Sequence, residues 1–385
     1  MTPRSAVETA VWVALAIWSG ALALHALGLA LALRKLRATS PARGGLEATP
    51  PVSILKPLAG ADSDLARNLE SFFEQEYSRF EIVFCCADAD DPALDIARAL
   101  IARHPAVDAR IVTGGARRGE NPKIANLAPA YAAARFEHVL ISDSNVHADP
   151  HALTRMVRHL EPGVGLVCSV IAASEPAGFG GELDALSLHT FYTRGMHLAL
   201  LGGRTATPGK AMLFEKRTLE RAGGLAPLGR YFAEDYMLGR RIADVGARIA
   251  VTNDPVRQRV GHLGFREYWA RHARWTAMRR TLDPHAFAIE LPFVNALVSG
   301  FAGAFAWHHL ASAPFALALV LHLAAWCVAD AALHVRMGGR VRSHFAAVWL
   351  VRELSAIGLW ASAWQRRRVV WRGRPMQFSK EGYVL

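Results

Sequence analysis

Apolar residues fall into two kinds of pattern along the chain. Residues 10–33 contain no Asp, Glu, Lys or Arg. As a helix that run reaches about 36 Å, enough to cross a bilayer. It exceeds the roughly 7–15 apolar residues at the centre of a cleaved signal peptide. Only Arg4 precedes it, whereas Arg34, Lys35, Arg37 and Arg43 follow. The positive-inside rule therefore predicts an external N-terminus and a cytoplasmic chain from residue 34 onward. No comparable run occurs between residues 120 and 290. The apolar signal returns at 291–310 and 313–335, separated by a very short turn, which predicts a transmembrane helical hairpin. Asp330 lies inside the second run, near Arg336, and an ionisable group there marks either a functional site or packing against a neighbouring helix, of which packing is favoured. A weaker run, 345–364, carries Arg352-Glu353 at its middle. Arg336, Arg340 and Arg342 precede it, and Arg366, Arg367 and Arg368 follow. Both ends prefer the cytoplasmic side, so a re-entrant or interfacial segment is expected.

Between the membrane runs, strands alternate with helices. Residues 52–56 predict a strand stopped by Pro57. Asp62 or Ser63 can cap a helix whose Leu65, Leu69, Phe72 and Phe73 share a face. Residues 80–86 read as a strand buried on both faces, with Cys85 and Cys86 pointing opposite ways. Pro92 opens a helix with Leu94, Ala97 and Ile101 on one side. Residues 109–113 predict a strand, 124–133 a helix and 138–142 a strand, and Asp149-Pro150 starts another helix. This βαβαβαβ order predicts an α/β, doubly wound, Rossmann-like parallel sheet, whose ligands bind beyond the carboxyl ends of the strands.

Composition sharpens the picture. Of 385 residues, 52% are hydrophobic and 20% charged, which excludes a disordered chain. Net charge is +11, but the basic residues flank apolar runs rather than forming a nucleic-acid-type block, so nucleic acid is not expected as a partner. The four cysteines contain no CxxC pair and read as small buried hydrophobes.

Chemistry-bearing residues collect at one predicted sheet edge. Residues 87–92 follow the second strand, the glycine-rich basic loop 114–123 the third, and Asp143-Ser144-Asn145 the fourth. There is no GxGxxG after the first strand and no P-loop, so neither dinucleotide nor P-loop chemistry is supported. Asp143 ends an apolar strand, where an uncompensated carboxylate is costly unless it binds something. If that strand continued, Asp143, Asn145 and His147 would share a face, a plausible oxygen and nitrogen set for Mg²⁺ or Mn²⁺. His147 also reads as an ordinary surface histidine. Glu234-Asp235 precede a helical stretch through Ile242; they serve either as a helix cap or as a general base. In FREYWARHARWTAMRR, residues 265–280, Phe265, Trp269, His272 and Thr276 share one side. That segment predicts an interfacial amphipathic helix.

Together these residues resemble inverting nucleotide-sugar transferases, and within them the ceramide glucosyltransferase family. The resemblance rests on VSILKPL at 52–58, NLESFF at 68–73, DADDPA at 88–93, NPKIANL at 121–127, SDSN at 142–145, RAGGL at 221–225, AEDY at 233–236 and RHARW at 271–275. It implies a GT-A catalytic domain with N- and C-terminal transmembrane helices. The expected parts are a first helix over 1–36, a cytoplasmic catalytic domain over 37–260, an interfacial helix over 261–290, and a hairpin, re-entrant segment and basic tail over 291–385. Asp91 would recognise uridine, Asp143 would hold Mn²⁺ or Mg²⁺ with Asn145 as a second ligand, and Lys123 would assist the phosphates. Asp235 would be the base, with Arg271, Arg274 and Trp275 over the diphosphate and acceptor. Many relatives carry a full DxD where this chain has Asn145. Residues 182–197 match the family poorly and take no role from it.

The residue types suit that chemistry. Displacing a nucleoside diphosphate develops negative charge, which a metal and arginines stabilise, and a positioned carboxylate deprotonates the attacking hydroxyl. The expected reaction joins a sugar, glucose from UDP-glucose foremost, to ceramide or a similar lipid in a bacterial inner membrane. A hopanoid or other lipid alcohol with another UDP-sugar is the alternative acceptor and donor. Polysaccharide synthesis has few C-terminal segments for a channel, and a silent scaffold would not need every motif intact.

Overall fold

The computed structural model describes residues 3–37, 49–62, 64–115, 121–365, 368–371, 374–377, 379 and 382–384. Arg43, Ser63, residues 116–120 and Arg366-Arg367 lie outside them. The chain divides into two compact units, each assembled from separate stretches: one from 1–35, 176–198 and 262–375, the other from 36–175, 199–261 and 376–385.

After the long helix α1 (Pro3–Arg37) the second unit begins with β1 (Val52–Pro57), α2 (Leu65–Phe73), β2 (Phe80–Cys86), α3 (Ala93–Arg103), β3 (Asp108–Thr113), α4 (Pro122–Ala133) and β4 (His138–Ser142). These are the elements the sequence predicts, with boundaries moved by a residue or two. Short β5 (Val146–His147), α5 (Ala152–Val157), β6 (Val164–Cys168) and β7 (Ile171–Ala177) follow. The sheet runs β3-β2-β1-β4 in parallel, the doubly wound arrangement expected. It is then extended by β8 (Ala211–Glu215), antiparallel to both β4 and β6, and by β9 (Arg248–Val251) beyond β6. The sheet is therefore mixed, with β8 running against both of its neighbours.

Alternation along the strands feeds two cores. Ile54, Ile82 and Phe84 pack under α2 and α3 with Leu69, Phe72 and Leu94. Leu55, Val83 and Val139 pack on the other face with Ile124 and Leu127 of α4, joined by Leu238 and Ile242 of α9 (Glu234–Asp244). Cys85 belongs to the second core and Cys86 to the first, on opposite faces as predicted. The α4 start is well specified. Asn121 caps it by accepting from the Lys123 N–H at 2.9 Å, and Pro122 takes the first turn, where a missing N–H costs nothing. A short α8 (Lys216–Arg221) precedes α9, and β10 (Val256–His262) pairs with β5 and β7.

The helical unit contains most of α1 with α6 (Gly178–Ser187), a π-helical turn at Leu188–Tyr192, the first part of α7 (Thr193–Leu201), α10 (Phe265–Leu282), α11 (Pro284–Val294), α12 (Ala296–Ala311), α13 (Phe315–Arg336) and α14 (Phe345–Ala363). The two-stranded sheet of β11 (Arg368–Trp371) and β12 (Arg374–Gln377) follows. Among the described residues three helices are long and apolar enough to cross a membrane: Ser5–Arg37, Phe315–Arg336 and Phe345–Ala363. The pair α11 and α12, bent by 62°, makes a fourth if it is one span. The chain is a membrane protein.

The run at 291–310, expected as one helix, breaks at Asn295. Asn295 caps α12 by accepting from Val298 N–H at 3.1 Å, and Glu353 accepts from Ala296 N–H at 2.7 Å. A carboxylate at that helix N-terminus is favourable. The charges of α14 are paired inside the bundle. Asp330 accepts from Arg352 at 2.6 Å, from Trp349 at 2.9 Å and from Arg194, and Arg352 also meets Glu353 at 2.7 Å. Asp330 thus has the neighbouring-helix packing favoured for it, and Arg352-Glu353 interrupt nothing.

Candidate active site

At the carboxyl end of β4 the chain turns at Asp143. The Asp143 carboxylate meets Lys123 Nζ at 2.8 Å and Lys210 Nζ at 2.9 Å. Burial pushes this carboxyl up, but the two ammonium groups outweigh it and hold it well below the usual carboxylate range. Lys123 also reaches Glu234 at 3.2 Å and the Gly209 carbonyl at 3.3 Å. Its burial opposes the charge, yet Asp143, Glu234 and Asp235 prevail and raise its pKa. Beneath them Lys56 is fully buried, donating to the Asp143 carbonyl at 2.7 Å and to Ser142 Oγ at 3.3 Å, with its Nζ 3.7 Å from the Phe72 ring centroid.

Asp235 sits in the first turn of α9. Its Oδ2 accepts from Gly209 N–H at 2.9 Å and its Oδ1 from Tyr236 N–H at 2.8 Å. A Cβ on residue 209 would come within 2.8 Å of Oδ2, so glycine permits this approach. Burial first, and then the charge of Glu234, push the Asp235 carboxyl up to about 6, against the pull of Lys123. Glu234 is held by Asn121 Nδ2 at 2.8 Å. The motifs at 121–127, 142–145 and 233–236 thus converge on one cluster. A carboxylate with a pKa near neutrality, beside a strongly ionised one, is what a general base next to an electrostatic anchor requires.

Asp91 stands on the loop after β2, accepting from Gly60 N–H at 2.8 Å and Ala93 N–H at 2.9 Å. The expected common face of 143, 145 and 147 is not formed. β4 ends at Ser142, the chain turns, and His147 pairs with Arg257 on β10. Asn145 does join Asp143: Lys210 Nζ is 2.9 Å from both Asn145 Oδ1 and Asp143 Oδ2. Two hard oxygens converge there on one cation. These two oxygens are of the kind that would hold Mg²⁺ or Mn²⁺. Among the described residues no group of three or more His, Cys, Asp or Glu forms a ready metal site.

Arg271, Arg274 and Trp275 lie on α10 in the helical unit. The buried side of α10 carries Tyr268, His272 and Thr276, while Phe265 is exposed. Arg271 is held by fully buried Asp184 at 2.8 Å, and His272 Nε2 lies 2.9 Å from the same carboxylate. Sequence reading missed Lys56, Lys210 and Asp184. Lys56 was visible only as a charge inside an apolar strand; Lys210 and Asp184 carried no local signal.

The mixed sheet with this helix placement is the GT-A fold of nucleotide-sugar glycosyltransferases. The mannosyltransferase from Pyrobaculum calidifontis, solved in complex with GDP-Man and Mn²⁺, is similar over 92% of this chain and 99% of its own, with a TM-score of 0.54 at 21% identity. The chain belongs to glycosyl transferase family 21, whose family model matches residues 18–384. It is 31% identical to ceramide glucosyltransferase 1 of Caenorhabditis elegans, over 87% of this chain and 73% of that protein. It is 27% identical to the ceramide glucosyltransferase of Komagataella phaffii, over 85% and 82%. The resemblance read from the motifs therefore holds at the level of the family, and the protein is a membrane glycosyltransferase.

Proposed function

We propose that this enzyme transfers glucose from UDP-glucose, with inversion, to the primary hydroxyl of ceramide or a similar membrane lipid. The observation that carries the reading is Asp235, a carboxyl with its pKa near 6 placed beside the Lys123–Asp143 pair. The named functions of the curated relatives support the donor and acceptor classes. Asp235 takes the proton of the acceptor hydroxyl as its oxygen attacks the anomeric carbon. The bond from that carbon to the diphosphate breaks, and the electron pair leaves with UDP. Lys123 and Lys210, which both pair with Asp143, are assigned to the diphosphate as its charge grows. Asp143 and Asn145 are the proposed holders of Mn²⁺ or Mg²⁺, which when bound supplies further charge neutralisation to the leaving group. Asp91 is assigned to the uridine, and Arg271, Arg274 and Trp275 to the diphosphate and acceptor. We place the catalytic unit on the cytoplasmic face of a bacterial inner membrane, where nucleotide sugars are available. Purified protein given UDP-glucose and a total lipid extract should yield a lipid heavier by one hexose. Turnover of UDP-glucose without any glycolipid would reject the acceptor class.

A further inference from the structure

Beneath α10, within the helical unit, lies a cavity of about 50 Å³. By the ~15 Å³ that one water needs, it has room for about three, the size of a small polar head group. One wall is apolar, with Leu291, Val294, Leu359 and Trp360. The other is a hydrogen-bonded chain whose proton positions follow from the partners. Asp184 only accepts, so His272 Nε2 carries the hydrogen between them at 2.9 Å. His272 Nδ1 then accepts from Tyr192 Oη at 3.3 Å, and Tyr192 Oη accepts from Arg279 at 3.3 Å. Tyr192 ends the π-helical turn, a local departure from α-geometry that recurs at functional sites.

The charge of the wall defines what would fill this space. Both guanidinium groups that line it are already neutralised: Arg279 by Glu290 at 3.0 Å, and Arg352 by Glu353 at 2.7 Å. A polar wall with balanced charge favours a neutral, polar ligand over an anionic diphosphate. We propose that this cavity receives the neutral carbonyl- and hydroxyl-bearing head of the acceptor lipid, with its aliphatic part against Leu291, Val294 and Trp360. This deepens the reading above and rests on it for the identity of the lipid as acceptor. His272 and Asp184 are positioning residues, acting through Tyr192 and Arg279.

The test uses the full chain in nanodiscs and an N-acyl sphingosine analogue with a diazirine beside its amide. Label is expected in peptides that line the cavity, from 187–192, 268–279, 290–295 or 352–360. Ala356→Phe fills the cavity, and Tyr192→Phe removes only the hydroxyl. Each should lower labelling and raise the acceptor KM roughly tenfold, with the donor KM changed less than about twofold. Label elsewhere in the chain, or undiminished label in both variants, overturns the proposal. So does a donor KM that rises in step, since the cavity would then belong to the diphosphate. Cavity labelling without any sugar transfer supports the cavity assignment while refuting the proposed reaction.

Discussion

Replacing Asp235 by Asn separates the catalytic and structural roles of its charge. Burial and Glu234 raise its pKa from 3.8 to about 6. Ionised Asp235 therefore costs the folded state up to ~3 kcal/mol at pH 7. The raised folded value means that stability is fully present below the unfolded pKa near 4 and is lost as pH climbs to about 6. Asn removes that loss. It also accepts from only one of the Gly209 and Tyr236 N–H groups that now point at the carboxylate at 2.9 and 2.8 Å, which costs ~1–3 kcal/mol. The terms nearly cancel, so Asp235→Asn should stay within ~2 kcal/mol of the parent at pH 8. Turnover should nevertheless fall on the order of 10²–10⁴-fold with donor binding retained. The assay pairs thermal unfolding from pH 4 to 8 with initial rates of UDP release in the presence of lipid. Near-normal turnover would remove Asp235 from the role of base, and an unchanged stability slope between pH 4 and 6 would show that its carboxyl is not raised by folding.

Other expectations follow from the same contacts. Chelation should abolish transfer, and Mn²⁺ or Mg²⁺ should restore it in the parent but not in Asp143→Ala; normal metal and donor binding by that variant would move the site elsewhere. Asp330→Ala strands Arg194 and leaves Arg352 with Glu353 alone, and should cost ~3–5 kcal/mol. An unchanged Tm in detergent would contradict that pairing. A cysteine at Ser379 should react with an impermeant thiol reagent only from the cytoplasmic face. Arg352 and Glu353 are paired, so burying them no longer opposes a crossing, and the basic flanks alone carry this expectation; labelling from outside intact cells would show that α14 spans.

Much of the catalytic unit was legible because its signals are local. The strands Phe80–Cys86 and His138–Ser142 are continuous apolar runs, and Asn121-Pro122 specify a helix start within two residues. Asp143 stood out because a carboxylate at the end of a buried strand needs a partner. That partner was hidden. Lys210 precedes β8, which reaches β4 only through antiparallel pairing across 67 residues of chain. His147 was grouped with Asp143 on an assumed strand that the turn at 143–145 interrupts. The break at Asn295 is matched by Glu353, 58 residues away, which supplies the carboxylate at the new helix N-terminus. Asp184 lies in a stretch without a matching motif, and its role is set by Arg271 and His272 on a distant helix. Long-range pairing of buried charges leaves no periodicity in the sequence.

The proposed reaction is a single-displacement transfer with one carboxylate base, Asp235. The product's anomeric configuration tests it most directly. UDP-glucose is α-linked, so proton NMR of the purified glycolipid should show the large axial–axial coupling of a β-glucoside. An α-linked product would require a second displacement or a different mechanism, and would contradict the account.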